Sequence, residues 1–293
     1  MQIVEVGPRD GLQNEKVVLD VRTRVRYIEH VVASGARRIE AVSFARPDRV
    51  PQMAGAEEVM AAVPRVEGVA YSGLVMNPRG VDRAIAAGID EANIVLVATD
   101  EFSRRNQGMT VAESLAVLPK MVERLVDAGI PTTVTIGAAF GCPFEGEVPV
   151  ARIAELTRAV SDLPISELAL ADTIGVGVPR DVRDRVTAAR DEIDVPMRLH
   201  LHNTRNTGYA NALTAVEMGV EVLDASTGGI GGCPFAPAAT GNIATEDLLY
   251  ALKRSGHEVS QSLDGVLAAT RFITEALGIL PPALLGRAGD FPS

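Results

Sequence analysis

The sequence predicts an α/β fold, a (β/α)8 barrel with a helical C-terminal extension. Three observations favour it. Eight short runs rich in β-branched residues alternate with longer helical stretches, glycines recur where those stretches end, and aromatic residues are only 4% of the 293 residues. Such alternation is typical of βαβ units in a parallel sheet. An aliphatic core suits strands that are buried on both faces.

The predicted elements follow one another regularly along the chain. The strands are Ile3–Gly7, Arg38–Phe44, Ala70–Met76, Asn93–Thr99, Thr132–Phe140, Glu167–Thr173, Met197–Asn203 and Val222–Gly228. The helices between them are 20–34, 55–62, 79–87, 111–128, 149–162, 178–190 and 207–218. An eighth helix is expected to begin at Thr245, with the acids Glu246 and Asp247 in its first turn. Gly35, Gly88, Gly129 and Gly219 each close a helix just before a strand, which is a weak internal repeat.

Eight such units favour closure into a barrel. An open doubly wound sheet is the alternative, but the first strand is not followed by the G-x-G-x-x-G pattern that binds dinucleotides in that fold. No linker rich in Pro, Gly or Ser divides the chain. We therefore expect one catalytic domain over residues 1–293, with 256–293 as a helical cap.

Charge and cysteine content exclude several functional classes. The formal net charge of −10 argues against nucleic acid and anionic membranes as partners, so an anionic ligand needs a local basic patch. Two cysteines cannot form a disulfide framework. No signal peptide or apolar run of about 18 residues is visible, which predicts a cytoplasmic protein.

The first predicted strand runs directly into a polar segment, residues 7–16 (GPRDGLQNEK). The carboxyl ends of barrel strands build active sites, so Asp10 is a candidate functional carboxylate. The alternative is a turn followed by a helix cap, in which Asp10 only accepts local hydrogen bonds.

The seventh predicted strand carries two histidines, His200 and His202, near its carboxyl end. Side chains two apart on a strand point to the same face, so the imidazoles project together. Imidazole is a common metal ligand. The alternative is a pair of hydrogen-bonded core histidines.

A glycine-rich loop, Thr227–Phe235, follows the eighth predicted strand, and Asn242 comes soon after it. In a closed barrel the eighth strand neighbours both the seventh and the first. Asp10, His200, His202 and Asn242 can therefore converge on one cation and leave open positions for substrate oxygens. This ligand set alone also allows Zn²⁺ or Fe²⁺.

Four segments resemble those of 3-hydroxy-3-methylglutaryl-CoA (HMG-CoA) lyase: Val6–Glu15, Asp172–Gly175, His200–His202 and Gly229–Pro234. The likeness runs in order from Ile3 to about Leu252, and the loop with its cysteine is the most specific part. This family belongs to a superfamily of metal-dependent lyases and Claisen-type synthases that share a barrel.

The resemblance implies that Asp10, His200, His202 and Asn242 bind Mg²⁺ or Mn²⁺. It implies cleavage of HMG-CoA, or a close 3-hydroxy-3-substituted acyl-CoA, to acetyl-CoA and a 3-oxo acid such as acetoacetate. A cation lowers the pKa of the substrate's 3-hydroxyl group and orients its distal carboxylate. Arg9 would stabilise the enolate, and Cys233 would donate the proton that completes acetyl-CoA.

Other residues complete the expected site. Glu40 would pair with Arg9, and Asp172 would assist proton transfer or position His200. The substrate-binding candidates are Gln13, Ser43, Thr173 and Arg205. Cys142 is expected to be packed in the core. Asn203 stands where the family usually has aspartate, and the segment Thr204–Thr207 also differs, which leaves the C3 substituent open.

Three alternative functions remain at this point. The chain could be a Claisen-type synthase that condenses acetyl-CoA with a 2-oxo acid, a non-haem iron oxygenase, or a non-catalytic barrel that binds CoA thioesters. Cys233 in its glycine-rich loop argues against the synthase. We also expect a homo-oligomer, either a dimer or a tetramer.

Overall fold

A computed structural model describes residues 1–232 and 241–292 of the chain. Eight parallel strands close into a barrel in sequence order, which confirms the predicted (β/α)8, or TIM-barrel, fold. The strands are β1 (Gln2–Glu5), β2 (Arg38–Ser43), β3 (Ala70–Val75), β4 (Glu91–Val97), β5 (Thr132–Gly137), β6 (Glu167–Asp172), β7 (Met197–Leu201) and β8 (Val222–Ala225). Strand β8 pairs with both β7 and β1, so the loops after these three strands open at adjacent positions of the mouth.

Helices cover the outside of the barrel. They are α1 (Val21–Ala33), α2 (Ala56–Ala62), α3 (Pro78–Ala87), α4 (Asp100–Gln107), α5 (Val111–Asp127), α6 (Val150–Val160), α7 (Pro179–Arg190), α8 (Gly208–Glu217) and α9 (Thr245–Arg254), followed by α10 (Leu263–Leu277) and α11 (Leu285–Ala288). Helix α10 packs against α1 and against the turn Thr227–Gly229 that follows β8. In the described part of the chain, no helix is both long and apolar enough to cross a membrane.

Most predicted bounds agree with the structure to within two residues, and the larger differences have local causes. Strand β5 ends at Gly137 and not at Phe140, because Ala138 takes a left-handed conformation with φ of 54°. Strand β8 ends at Ala225, where the turn Thr227–Gly229 begins. Helix α4 was not predicted, and the expected helical extension, residues 256–293, contains two separate helices, α10 and α11.

The core consists mainly of aliphatic side chains between the strands and the helices. The inside of the barrel is different, because charged groups occupy it. Arg38 of β2 contacts Glu91 of β4 at 2.8 Å and Glu167 of β6 at 2.9 Å, and Arg198 of β7 lies 3.7 Å from Glu167. The active-site candidates stand at the carboxyl end of this charged interior.

Candidate active site

Arg9 and Asp10 lie in one wide helical turn, Gly7–Gly11, directly after β1. Its backbone bonds span five residues, as in the 3.1 Å bond from the N–H of Gly11 to the carbonyl of Val6. Position 7 must be glycine, because a Cβ there would lie 2.1 Å from the hydroxyl of Tyr27. The absence of a side chain at position 7 lets the turn pack against Tyr27, and the side chains of Arg9 and Asp10 line the cavity at the mouth of the barrel.

Asp10, His200 and His202 form the one group of three or more potential metal ligands found among the described residues. The Nε2 atoms of the two imidazoles are 3.1 Å apart, and Nε2 of His200 is 3.8 Å from Oδ2 of Asp10. The ligating atoms all lie within 4.8 Å of one another. The first and seventh strands therefore bring together the residues that the sequence placed there.

Burial and charge set the protonation of this group. Burial and the neighbouring His200 lower the pKa of His202 to about 3, so its ring is neutral near pH 7. Burial would also lower the pKa of His200, but the carboxylates of Asp224 and Asp10 outweigh it and raise this pKa. Burial would raise the pKa of Asp10, but Arg9 and the two imidazoles outweigh it and lower this pKa.

The donor atoms fit a divalent cation. Nδ1 of His200 lies 3.0 Å from a carboxylate oxygen of Asp224, so a neutral His200 carries its proton on Nδ1 and turns the lone pair of Nε2 toward His202. Two ligands about 2.1 Å from a cation and at right angles to each other lie about 3.0 Å apart. The 3.1 Å between the imidazole nitrogens meets that requirement.

Asn242 lies beside these three residues, and its backbone forms an isolated bridge with His202. Its amide nitrogen donates to Oδ2 of Asp10 at 2.8 Å and to the carbonyl of Ile230 at 3.2 Å. Ligation through the amide oxygen therefore requires the two ends of the amide to exchange places. Asn242 is near enough to be the fourth ligand, but its orientation here supports Asp10.

Arg9 connects the ligand group to a second buried carboxylate. Its Nη1 donates to Oδ1 of Asp10 at 2.8 Å, while its Nε and Nη2 lie 2.7 and 2.5 Å from Oε2 of Glu40. Burial would lower the pKa of Arg9, but Glu40 and Asp10 raise it, so the guanidinium is a fixed positive charge. The pairing of Glu40 with Arg9 is present as the sequence suggested.

A cavity of about 230 Å³ opens above these groups. Arg9, Asp10, His200, His202 and the expected substrate-binding residues Gln13 and Thr173 line it. Its opposite wall is largely apolar and is formed by Leu74, Met76, Val95, Val97 and Phe102. The cavity thus combines a polar, charged side with an apolar side.

Five of the predicted site residues that the structure describes do not line this cavity: Glu40 and Asn242, whose contacts are given above, and Asp172, Ser43 and Arg205. The side chain of Asp172 points away from the cavity, because side chains alternate along β6 and its neighbours Ala171 and Thr173 line the cavity. Its carboxylate accepts hydrogen bonds from the backbone N–H groups of Val176 and Gly177 at 3.0 and 2.9 Å. Burial raises its pKa. Ser43 is buried and accepts the N–H of Ala45. The structure gives Asp172 the role of shaping the loop after β6.

Arg205 also lies outside the cavity. It is exposed, and its guanidinium donates to the carbonyls of Ile174 and Gly175 at 2.9 and 3.1 Å. These bonds join the loop after β7 to the loop after β6.

The two cysteines differ in what the structure describes. Cys233 lies outside the described residues. Cys142 is buried, and its sulfur accepts the hydroxyl hydrogen of Thr99 at 3.0 Å, consistent with packing in the core.

Sequence reasoning missed two polar residues next to the site, Asp224 and Asn93. Asp224 contacts His200, and Asn93 lines the cavity and donates to Glu40 at 2.9 Å. The available signal was a carboxylate or an amide inside an apolar strand, together with the rule that a metal-ligating histidine needs an orienting partner.

A second groove, of about 490 Å³, adjoins the cavity and shares Gln13, Met76 and Asn106 with it. Four arginines line the groove, Arg46, Arg49, Arg104 and Arg105. Three of them also pair with nearby carboxylates, while no hydrogen bond from the guanidinium of Arg49 is found within the described ranges. This is the local basic patch that an anionic ligand would need.

Comparison with known proteins places the chain among carbon–carbon lyases. A sequence model of the HMGL-like family matches residues 1–273. The (R)-citramalyl-CoA lyase of Chloroflexus aurantiacus is 44% identical, over 98% of this chain and 94% of that protein. The hydroxymethylglutaryl-CoA lyase YngG of Bacillus subtilis is 38% identical, over 94% and 93%.

Solved structures of similar proteins share the whole fold. The HMG-CoA lyase structure from Bacillus subtilis superposes with a TM-score of 0.95 and 36% identity, over 98% of this chain and 97% of that one. An HMG-CoA lyase from Acinetobacter baumannii, in complex with coenzyme A and 3-methylmalate, superposes with a TM-score of 0.93 and 36% identity, over 100% and 97%.

Proposed function

We propose that this chain, which belongs to the HMGL-like family and is a carbon–carbon lyase, cleaves 3-hydroxy-3-methylglutaryl-CoA or a close 3-hydroxy-3-substituted acyl-CoA. The products would be acetyl-CoA and an oxo acid. The observation that carries the proposal is the position of the Arg9 guanidinium, 2.8 Å from Asp10 and in the same cavity as His200 and His202.

Asp10, His200, His202 and Asn242 would hold the cation, and we propose Mg²⁺ or Mn²⁺. When bound, such an ion supplies Lewis-acid polarisation and orientation of the substrate's oxygen atoms. Asp224 keeps the ring of His200 in the tautomer that presents Nε2. Arg9 keeps Asp10 turned toward the imidazoles.

The residues of the cavity account for the bond cleavage. Loss of the proton from the 3-hydroxyl group turns C3 into a carbonyl, and the electrons of the C2–C3 bond pass to C2 as a thioester enolate. Arg9 is already charged and fixed by Glu40, so it stabilises this developing charge without reorganising. Cys233 would donate a proton to C2, and the proton taken from the 3-hydroxyl group would then restore its thiol, so the overall reaction neither gains nor loses protons.

The arginine groove supports a CoA thioester as the substrate class. Arginine is well suited to bind phosphates, and the groove meets the cavity at Gln13 and Asn106. A CoA thioester would lie with its phosphates in the groove and its acyl group in the cavity. Coenzyme A is bound by the similar lyase of Acinetobacter baumannii.

The C3 substituent decides which oxo acid is released. An HMG thioester would give acetoacetate, and a citramalyl thioester, the substrate named for the Chloroflexus relative, would give pyruvate. The experiment is mass spectrometry of the products from both thioesters, with and without Mg²⁺ or Mn²⁺. Absence of acetyl-CoA from every 3-hydroxyacyl-CoA would refute the lyase. CoA release from acetyl-CoA with 2-oxo acids would favour the synthase.

Two organisational features complete the proposal. Residues 1–293 would act as one catalytic domain, with 256–293 as its cap. The chain would form a dimer or a tetramer, which light scattering coupled to size-exclusion chromatography measures directly.

A further inference from the structure

The floor of the cavity contains a chain of hydrogen bonds that reaches Arg9 from the opposite side of the barrel. The hydroxyl group of Thr135, on β5, donates to Oδ1 of Asn93, on β4, at 2.7 Å. The Nδ2 of Asn93 donates to Oε1 of Glu40, on β2, at 2.9 Å. Glu40 contacts Arg9 with its other oxygen, Oε2. All four side chains are buried.

The direction of each bond in this chain is fixed by its donors and acceptors. A threonine hydroxyl donating to the amide oxygen of Asn93 turns the amide nitrogen toward Glu40. The carboxylate of Glu40 is fully buried, so it cannot replace a lost donor with bulk water. With Oε1 held by Asn93, Oε2 remains for the guanidinium of Arg9.

We propose that Asn93 is a positioning residue, which sets the orientation of Arg9 through Glu40 and is itself oriented by Thr135. The proposal rests on the proposed function for its kinetic consequences, since it takes Arg9 as the group that stabilises the enolate. The structural part of the proposal is that the fixed orientation of the Arg9 side chain depends on Asn93. This part can be tested whether or not the protein has lyase activity.

Two nearly isosteric substitutions test the kinetic part. Asn93→Leu removes both bonds, and Thr135→Val removes only the donor that orients the amide. Because a hydrogen bond to a buried charge is lost or weakened, Asn93→Leu should lower the single-turnover rate about tenfold or more, and Thr135→Val less. The KM for the thioester and the Mn²⁺ dissociation constant should each change less than about twofold.

An Arg9→Met background separates positioning from general damage. If Asn93 acts through Arg9, Asn93→Leu should not lower the residual rate of the Arg9→Met enzyme any further. Equal losses of rate in both backgrounds would overturn the proposal. Thr133→Val is the matched control: this threonine of β5 also faces inward and donates to a carboxylate, that of Glu167 at 2.9 Å, but lies two residues toward the other end. It should leave the rate within about twofold of the wild type.

A measurement without substrate keeps this proposal separate from the lyase assignment. In protein labelled with ¹⁵N-arginine, the Nε–H of Arg9 should be protected from exchange by its bond to Glu40. Asn93→Leu and Thr135→Val should speed its exchange, while Thr133→Val should not. Unchanged exchange in folded Asn93→Leu, or in Thr135→Val should the former not fold, would overturn the proposal. A wild-type protein inactive on all thioesters would instead refute the proposed function.

Discussion

The carboxylate of Asp224 lies 3.0 Å from Nδ1 of His200, and its other oxygen accepts a bond of 2.5 Å from Nε of Arg198. Burial would raise the pKa of Asp224, but Arg198 and His200 outweigh it and lower this pKa, so the group stays ionised. Arg198 in turn lies 3.7 Å from Glu167, which Arg38 also contacts. Acidic and basic side chains therefore alternate along the barrel interior, in the order Arg38, Glu167, Arg198 and Asp224, and His200 follows them at the carboxyl end of the strands.

Asp224→Asn should weaken metal binding without moving the ligands themselves. Loss of the carboxylate that orients a metal-binding histidine typically costs about tenfold to a hundredfold in affinity. Titration of the metal-free protein with Mn²⁺, followed by electron paramagnetic resonance, measures the free ion. Asp247→Asn is the control, because this carboxylate holds the backbone of Leu284 and Leu285 instead. Equal Mn²⁺ affinity in wild type and Asp224→Asn would show that the contact has no such role.

Arg9→Met should leave the fold intact and lower kcat by about a hundredfold to a thousandfold, since one preorganised group that stabilises charge is lost. The charge is held by Glu40 and Asp10 before any substrate arrives. Arg9→Lys keeps the charge but not the two-sided contact, so its kcat should be intermediate. Steady-state kinetics at saturating Mg²⁺ gives both values. A kcat near that of the wild type in Arg9→Met would place enolate stabilisation elsewhere.

The arginine groove should contribute to substrate binding more than to catalysis. Arg49→Glu and Arg105→Glu should each raise the KM for the acyl-CoA about tenfold, with kcat changed less than about twofold. The effect should shrink at high salt, because exposed charges are screened. Arg37→Glu makes the same change of charge on an exposed residue before β2, at the other end of the barrel. If Arg37→Glu raised KM as much as the groove variants, a local phosphate site would be ruled out.

Glu246 should make the stability of the protein depend on pH. Burial raises its pKa from 4.5 to about 7, although it accepts bonds from Thr270 and from the N–H of Gly228. The folded state therefore binds the proton more tightly than the unfolded state. This stabilisation is complete below the unfolded pKa and is lost as pH rises through about 7, a total of about 3 kcal/mol.

The comparison of wild type with Glu246→Gln isolates this effect. The free energy of unfolding of Glu246→Gln, relative to that of the wild type, should increase from about pH 5 to about pH 8. Glu5, whose pKa burial also raises, is present in both proteins, so its contribution cancels. Urea denaturation across this range measures the difference. A difference that does not change with pH would mean that Glu246 titrates normally.

The sequence predicted the barrel and most of the ligand group because both depend on local patterns. The alternation of β-branched runs with helical stretches marks each strand, and the spacing of His200 and His202 puts both rings on one face. Helix α4 has no such pattern, because Phe102 is its single apolar residue and the sequence DEFSRRNQ gives no apolar stripe. The sequence therefore predicts a connection at these residues and not a helix.

Contacts across the barrel interior were not predictable in the same way. Asp224 meets His200 from the next strand, and Asn93 meets Glu40 from two strands away, so no single segment carries the signal. The outward direction of Asp172 depends on register: its neighbours Ala171 and Thr173 line the cavity, which sends Asp172 to the other face. The sequence identified Asp172 as a polar residue at the end of a strand, but it did not show whether its side chain faces the cavity or the outside of the barrel.

The proton donor is the last element to test, and Cys233 is the residue proposed for it. A thiol that donates a proton to the substrate must be reachable before the substrate binds, so iodoacetamide at low concentration should inactivate the enzyme, and saturating substrate should protect it. Labelling should rise with pH, because the thiolate is the reactive form. Cys142 is only 3% exposed and should react far more slowly, which makes Cys142→Ala the matched control.

Cys233→Ala should lose turnover yet keep Mn²⁺ and substrate binding, since the thiol would act after the C2–C3 bond breaks. Peptide mapping assigns the label. Normal turnover in Cys233→Ala, or a label found only on Cys142, would mean that another group delivers the proton to the enolate.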